Sequence, residues 1–427
     1  MKKILVLTVT AGNGHNACAK GMVNKLKEME GDQIEVKIID ILKTYSTKLN
    51  VWTADKGYSL AMQLLPSVYD KFYNLYKKKP AYKRYSCAGQ GIALSVMEGL
   101  YKEINEFKPD VIYSTHFYGA IALTDLRLVY DVPCKVIVSN LDFVNSPFWE
   151  ACIGVDCFAI PNEDFIKECE EEGFKREQLY PLGLPVREQF IKEIKKEDAR
   201  KELGLENDVF TVMVIFGGGH WGGGLKIFKM ISSAYKNEKI QIIMINGRNK
   251  SSFNKIAKMK LPENIKVTNV GFTDKVDLYM SASDATVTKL GGTSATEMIN
   301  KLRPMVVTKK VYGQERHNLV YLTEKGIASS FKNKKELKSA LDKLRDDKKY
   351  YESVVENEKK LRTNGIDNVA KLILSQPNAV YNEEYIKNID YSKILKNVKK
   401  ELKKKNKQTI KEFKRERKNE QRSNSNR

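Results

Sequence analysis

The 427-residue sequence has no apolar run long enough to cross a bilayer as a helix. Its longest runs, VFTVMVIF and IQIIMI, are strand-sized, whereas a spanning helix needs about 20 apolar residues. Cysteine and histidine are sparse. The six cysteines (Cys18, Cys87, Cys134, Cys152, Cys157, Cys169) form no C-x-x-C pair, and the four histidines stand far apart in the chain. Both facts exclude the usual zinc spacings and leave reduced cytosolic thiols as the default. The start MKKILVLTVTAGNGH is basic and apolar, like a signal peptide, but it lacks a small-residue cleavage site and runs into a glycine loop. It reads as a first strand.

What is present is a folded body with an unusual charge. Hydrophobic content of 42% is ordinary, and this length suggests two domains plus an appendage. Net charge is +21, and residues 391 to 427 hold 15 lysines or arginines against 4 glutamates, about half of the excess. From Tyr391 onward Ile394, Leu395, Val398, Leu402, Ile410 and Phe413 recur at helical spacing with basic residues between them. That pattern predicts a basic amphipathic helix lying in a headgroup plane, with NEQRSNSNR beyond it disordered.

Strands and helices alternate along most of the chain. KILVLTV (residues 3–9) suits a buried parallel strand, and TAGNGHNACAKG follows it into a helix. Gly12 and Gly14 permit a tight turn with His15 at its mouth; a dinucleotide fingerprint with Asp40 as its acid is set aside because Ala17 replaces the third glycine. PDVIYSTH, CKVIVSNLDF and CFAIPNEDF read as further strands. His116 and Asp142 fall at strand ends, on the same carboxyl edge as His15, where open α/β sheets bind ligands. Asp142 also reads as an ordinary turn or cap aspartate. Residues 43 to 85 break the rhythm with nine aromatics and the cluster Lys71, Lys77, Lys78, Lys79, Lys83, Arg84. Aromatic rings beside lysines suit a bilayer interface, and an ordinary helical pair with a solvated basic face fits the same residues. PLGLPVREQF (181–190) reads as a crossing between domains.

The second half carries two glycine turns. GGGHWGGG, residues 217 to 224, lies between a strand and a helix, so a ligand backbone or diphosphate can approach its amides through Gly218, Gly219, His220 and Gly222. DATVT ends in Lys289, and Gly291-Gly292 lead to Thr293 or Ser294 as a helix start, where amides attract phosphate. Glu297 would then accept hydrogen bonds from vicinal ribose hydroxyls. Ser294 to Glu297 equally fits a capping box that needs no ligand. After the strand PMVVT come Tyr312, Gly313, Gln314, Glu315 and Asn318, a dense polar set at a strand's carboxyl end.

GGTSATE, the proline-led strand PMVVT and GQERHN resemble the GGxTxxE and GQExxN nucleotide-sugar signature of family 28 (GT28) glycosyltransferases. That family includes monogalactosyldiacylglycerol synthases, processive diacylglycerol beta-glucosyltransferases and the lipid II-forming MurG type. The sequence departs from the family at Leu290, where proline is usual, at Leu141, where threonine is usual, and at Asn13, where glycine is common.

The resemblance implies an α/β protein of the GT-B fold: two facing Rossmann-like, doubly wound domains with a basic C-terminal helical tail. Residues 1–185 would form the acceptor and membrane-facing domain, 186–375 the UDP-sugar domain and 376–427 the tail. It implies that Gly218, Gly219, His220, Gly222, Gly291, Gly292, Thr293, Ser294, Glu297, Gln314, Glu315 and Asn318 hold the donor, with the turn at Phe272 and Thr273 on uracil. His15 would be the general base, although from the residues alone it also reads as a capping or structural histidine. His116 and Asp142 would flank the acceptor, with Asp142 either orienting His15 or acting as base itself. The implied activity is inverting transfer of a hexose from a UDP-hexose to diacylglycerol or a related lipid, at an anionic membrane surface on the cytoplasmic face of the cell membrane. No metal or cofactor is expected, because no D-x-D pair is placed at the diphosphate and helix-start amides can balance its charge. A UDP-N-acetylglucosamine-using enzyme, either MurG-like or a 2-epimerase, would share the two-domain plan. A nucleic-acid-binding protein would fit the charge but leaves both glycine loops and the GQE run unexplained.

Overall fold

The computed structural model describes residues 1–10, 14–57, 60, 64–77, 88–216 and 223–425. They form two parallel six-stranded sheets, each covered by helices on both faces. The first sheet contains β1 (Lys2–Thr8), β2 (Ile34–Asp40), β3 (Val111–Ser114), β4 (Lys135–Ser139), β5 (Cys157–Ile160) and β6 (Leu179–Pro181), in the order β2-β1-β3-β4-β5-β6. The second contains β7 (Thr211–Ile215), β8 (Ile240–Ile245), β9 (Ile265–Val270), β10 (Ala285–Thr288), β11 (Met305–Thr308) and β12 (Ala328–Phe331), in the order β12-β11-β10-β7-β8-β9.

The continuous apolar run in β1 has a direct cause. Ile4 and Val6 pack into one core layer and Leu5 and Leu7 into another, so neither face can carry polar side chains. Each sheet order reverses direction once, between β1 and β3 and between β7 and β10. Register then puts particular loops side by side. Leu7 pairs with Ser114, so the loops after β1 and β3 are neighbours. Ile215 pairs with Thr288 and Thr288 with Val307, so the turns after β7, β10 and β11 share one edge. In doubly wound sheets this reversal opens the crevice in which ligands sit.

The helices that matter for the site are α1 (Gly14–Glu30), α2 (Pro66–Lys77), α3 (Met97–Phe107), α4 (Phe117–Leu126), α5 (Gly292–Asn300), α6 (Gln314–Glu324), α7 (Gly365–Ser375) and α8 (Ile394–Ser425). The sequence division at residue 375 assigns α7 to the second domain. Instead the chain crosses back before α7, whose Ile366, Val369, Ala370 and Ile373 join Ile4, Val6, Ala19 and Met22 in the first domain's core. Lys25 of α1 anchors that return, 2.9 Å from Asp367 and 3.8 Å from Glu188 of the outward crossing.

The tail also differs from its sequence reading. The first part of its apolar stripe is already occupied: Ile394, Val398 and Leu402 are buried in the same cluster as Leu100, Tyr101 and Ile104 of α3, and Asn397 Nδ2 donates to Tyr130 Oη at 3.0 Å. An amphipathic stripe announces that a helix needs an apolar partner, not which one. Each fully buried aliphatic side chain contributes about 1.5–3 kcal/mol. Deleting residues 391–427 should therefore lower the melting temperature clearly, while deleting only 406–427 should leave it close to the full chain's. Equal melting of the two truncations would contradict this packing.

Candidate active site

His15 lies in the first turn of α1, immediately after the loop from β1. Its Nδ1 is 2.5 Å from the Thr115 carbonyl oxygen, at the end of the neighbouring strand β3. A carbonyl only accepts, so Nδ1 carries the ring proton and Nε2 keeps its lone pair. Burial holds the ring below the ordinary histidine range, opposed by that backbone bond, so it is neutral at neutral pH and able to take a proton. The sequence reading gave Asp142 as one candidate for orienting this ring; the Thr115 carbonyl fills that role.

His116 is a neighbour with a different task. The two rings meet edge to face, 4.6 Å between centroids. His116 Nδ1 accepts the Tyr118 N–H at 3.1 Å and caps α4, which puts its proton on Nε2. Burial and the nearby His15 push its pKa well down.

Asp142 faces the second domain. Asn140 fixes its turn, with Oδ1 accepting the Asp142 N–H at 3.1 Å. The Asp142 carboxylate Oδ1 then accepts the Gly292 N–H at 3.1 Å and Asn318 Nδ2–H at 2.8 Å. Burial raises its pKa to about 6 against the pull of those donors. Asn318, fully buried, also donates to the Leu290 carbonyl at 3.2 Å, so it ties the turn after β10 to the first domain.

The helix start at the GG turn is not a capping box. α5 begins at Gly292, its N-cap is Gly291, and no side chain caps it. Neither Thr293 nor Ser294 starts the helix, and Glu297 lies a full turn inside it. With no side-chain oxygen from its own segment, the helix start keeps its attraction for an anion, and the Asp142 carboxylate sits there. The domains are in close touch at this point. A methyl group placed on Gly14, next to His15, would lie 2.6 Å from Thr293 Oγ1.

Glu297 is partly buried and held by Arg187 from the interdomain crossing, Nη2 to Oε1 at 3.4 Å. Burial raises its pKa to about 7, opposed by Arg187. Glu315 pairs with Lys289 at 2.8 Å, which joins the polar loop after β11 to the turn after β10. Gln314 Oε1 accepts from Tyr69 Oη of α2 at 3.2 Å. Phe272 is exposed beyond β9 with the Arg248 guanidinium 5.3 Å from its ring centre, and Thr273 Oγ1 accepts the Lys275 N–H at 3.1 Å. Gly218, Gly219, His220 and Gly222 lie outside the described residues. Asp40, the acid of the rejected dinucleotide fingerprint, accepts the Thr10 N–H at 3.0 Å and caps the following helical turn. Among the described residues no three His, Cys, Asp or Glu side chains converge to hold a metal ion.

The structure thus gathers His15, His116 and Asp142 from one domain and Gly291 to Glu297, Gln314, Glu315 and Asn318 from the other at facing sheet edges. Sequence reasoning missed Arg187, Thr115 and Asp70 as members of this region. Thr115 acts through a backbone carbonyl, which has no residue signature. Asp70 did carry one, being one of only two acids between residues 43 and 85.

Comparison with known proteins adds two family matches. Residues 15–186 match the family described as monogalactosyldiacylglycerol (MGDG) synthase, and residues 194–373 match the glycosyltransferase family 28 C-terminal domain. A probable monogalactosyldiacylglycerol synthase of Glycine max is 28% identical over 352 residues, covering 79% of this chain and 64% of the relative. The chain therefore spans somewhat under two thirds of that plant protein. A processive diacylglycerol beta-glucosyltransferase of Bacillus pumilus is 24% identical over 365 residues, covering 84% of this chain and 91% of that protein. Among solved structures, MurG of Acinetobacter baumannii superposes with a TM-score of 0.59 at 13% identity, covering 88% and 99% of the two chains. That likeness is one of fold.

Proposed function

The chain belongs to the family that joins a monogalactosyldiacylglycerol-synthase domain to a glycosyltransferase family 28 C-terminal domain, and from that premise we propose an inverting transfer of a hexose from a UDP-sugar to the free hydroxyl of diacylglycerol. One observation carries the reading: a histidine with its tautomer fixed by Thr115 abuts, through Gly14, a helix start that no side chain of its own segment caps. The first is a general base, the second an anion site, and a glycosyl donor with a diphosphate leaving group needs both.

In this mechanism His15 Nε2 takes the proton from the acceptor hydroxyl as its oxygen attacks the anomeric carbon. The bond from that carbon to the diphosphate oxygen breaks on the opposite side, and UDP leaves with the electron pair. The N–H groups of Thr293 and Ser294 at the start of α5, beyond the Gly292 N–H that Asp142 holds, offset the negative charge that grows on the diphosphate. Glu297 accepts two hydrogen bonds from the ribose hydroxyls as a carboxylate.

A charged acceptor's hydrogen bonds contribute about 1.5–3 kcal/mol, so Glu297→Gln should weaken UDP binding by roughly 10- to 150-fold. The deprotonated form grows as pH rises through about 7, so UDP affinity of the wild-type chain should rise across that range, and the Gln variant should lose that part of the pH dependence. Calorimetric titration with UDP tests this. Wild-type affinity in the variant would remove Glu297 from the donor site, and no affinity in the wild type would sink the function.

Contact with an anionic membrane surface belongs to the same proposal. Leu65, Val68, Phe72 and Leu75 make an exposed apolar stripe along α2 at helical spacing, with Lys71 beside it. The described part of the tail past Leu402 adds exposed lysines at 403, 404 and 407. An apolar stripe flanked by lysines favours the headgroup boundary of an anionic bilayer. No helix among the described residues is long and apolar enough to cross a membrane.

A further inference from the structure

Helix α2 has two working faces. The outer face carries the apolar stripe, with Phe72 64% exposed. The inner face grips the polar loop that leads into α6, on the other domain. Asp70 is only 7% exposed. Its Oδ1 accepts the Gly313 N–H at 3.0 Å and its Oδ2 pairs with Arg316 Nη1 at 2.8 Å. Tyr69 lies over Gly313 so closely that a methyl group there would come 2.5 Å from its ring. Asn74 Oδ1 is 3.2 Å from His317 Nε2, and the rings of Tyr73 and His317 are 5.6 Å apart. Tyr69, Asp70, Tyr73 and Asn74 follow the i, i+1, i+4, i+5 pattern of a single helix face.

The conformation that these contacts hold is a demanding one. Gly313 has φ +55° and ψ −131°, a region that residues with a Cβ avoid. It is the N-cap of α6, and no side chain of the loop caps that helix. The loop's shape therefore depends on a carboxylate contributed by the other domain. Two residues further on, Glu315 reaches Lys289 beside the α5 helix start, so a change at Gly313 is transmitted directly to the candidate donor site.

We propose that Asp70 is a positioning residue for the loop from Tyr312 to Asn318, and that through it the lipid-facing side of α2 controls how tightly the donor is held. The inference rests on the functional reading above for the identity of donor and membrane. When the stripe of Leu65, Val68, Phe72 and Leu75 meets lipid, α2 is fixed at the surface with its inner face against the loop. Without lipid, α2 and the Leu65 that precedes it keep four apolar side chains exposed to water, which favours states in which the helix turns from the loop and buries that stripe. Donor affinity and membrane contact are then linked in both directions, as any coupling between two sites requires.

The test uses the full chain, UDP, and vesicles of phosphatidylglycerol with diacylglycerol. Wild-type protein should bind UDP more tightly with vesicles than without. Asp70→Ala should bind UDP about tenfold more weakly, since a charge-assisted hydrogen bond is lost, and should respond little to vesicles. It should still sediment with them. Asp70→Asn, which keeps an acceptor for Gly313 but not the pair with Arg316, should fall between the two and serves if the alanine variant does not fold. Hydrogen exchange across residues 312–318 gives a readout independent of the donor's identity: vesicles should slow it in the wild type, and Asp70→Ala should speed it. Wild-type UDP affinity and an unchanged vesicle response in Asp70→Ala, or exchange that neither lipid nor Asp70 alters, would overturn the proposal. If the wild type binds no UDP while exchange behaves as expected, the functional reading fails and the positioning role stands.

Discussion

Replacing His15 with alanine is expected to cut turnover by about 10²- to 10⁴-fold, the contribution of a positioned general base, while UDP affinity stays within a factor of about two, since His15 belongs to the acceptor side. The separation follows from where the ring is held. Among the described residues its polar partner is the Thr115 carbonyl and its ring neighbour is His116, both in the first domain. Removing the imidazole takes away Nε2 and leaves the Gly291–Gly292 turn intact. The pH profile gives a second check. The neutral ring is the active form and burial depresses its pKa below 6.5, so the acid limb of kcat/KM should lie below the ordinary histidine range. In the alanine variant that limb should vanish. Steady-state kinetics across pH, together with UDP titration, would reveal the split; unchanged kcat in His15→Ala would transfer the role to Asp142.

Gly292→Ala should be nearly as damaging, although it adds one carbon. A methyl group at that position would lie 2.0 Å from the Leu141 carbonyl oxygen and 2.6 Å from Asp142 Cα. Both are backbone atoms, so no rotamer change relieves the clash, and the two domains must separate by more than 1 Å. Misplacement of that size costs about 10²-fold in rate. Gly292 has no positive φ, and alanine favours helix more than glycine does, so α5 itself should form normally. The expected result is a kcat lowered by about 100-fold together with a lower melting temperature, since the separation also stretches the bonds from Asp142 to Gly292 and Asn318. A variant with wild-type kcat would show that catalysis does not use this contact between Leu141, Asp142 and Gly292.

Much of this architecture is legible in the sequence because buried parallel strands have to be apolar on both faces. KILVL, VIYS, KVIVS, TVMVI and IQIIMI stand out for that reason, and the polar residues just past them fall at one edge. The loops of His15 and His116 are neighbours because the strand order reverses between β1 and β3. What the chain could not announce is contact across long separations. Ser294 and Glu297 have the spacing of a capping box, yet the helix starts at Gly292 because Asp142, 150 residues earlier, supplies the carboxylate for its first amide. The stripe from Ile394 to Leu402 has the spacing of a membrane-lying helix and finds its apolar partner in α3 instead. Asp70 stands out as one of two acids among the aromatics and lysines of residues 43 to 85, but its partner Gly313 lies 243 residues away.

The central claim is that a proton acceptor on one domain and an anion site on the other act together on a hexose passing to a lipid hydroxyl in a single displacement. The most direct test is to incubate the full chain with diacylglycerol vesicles and UDP-glucose or UDP-galactose in turn, isolate any lipid-soluble sugar, and read its anomeric configuration by NMR. The account predicts a β-linked glycosyl-diacylglycerol from at least one of these α-configured donors, and its loss in His15→Ala. An α-linked product, or UDP release with no sugar entering the lipid fraction, would contradict it.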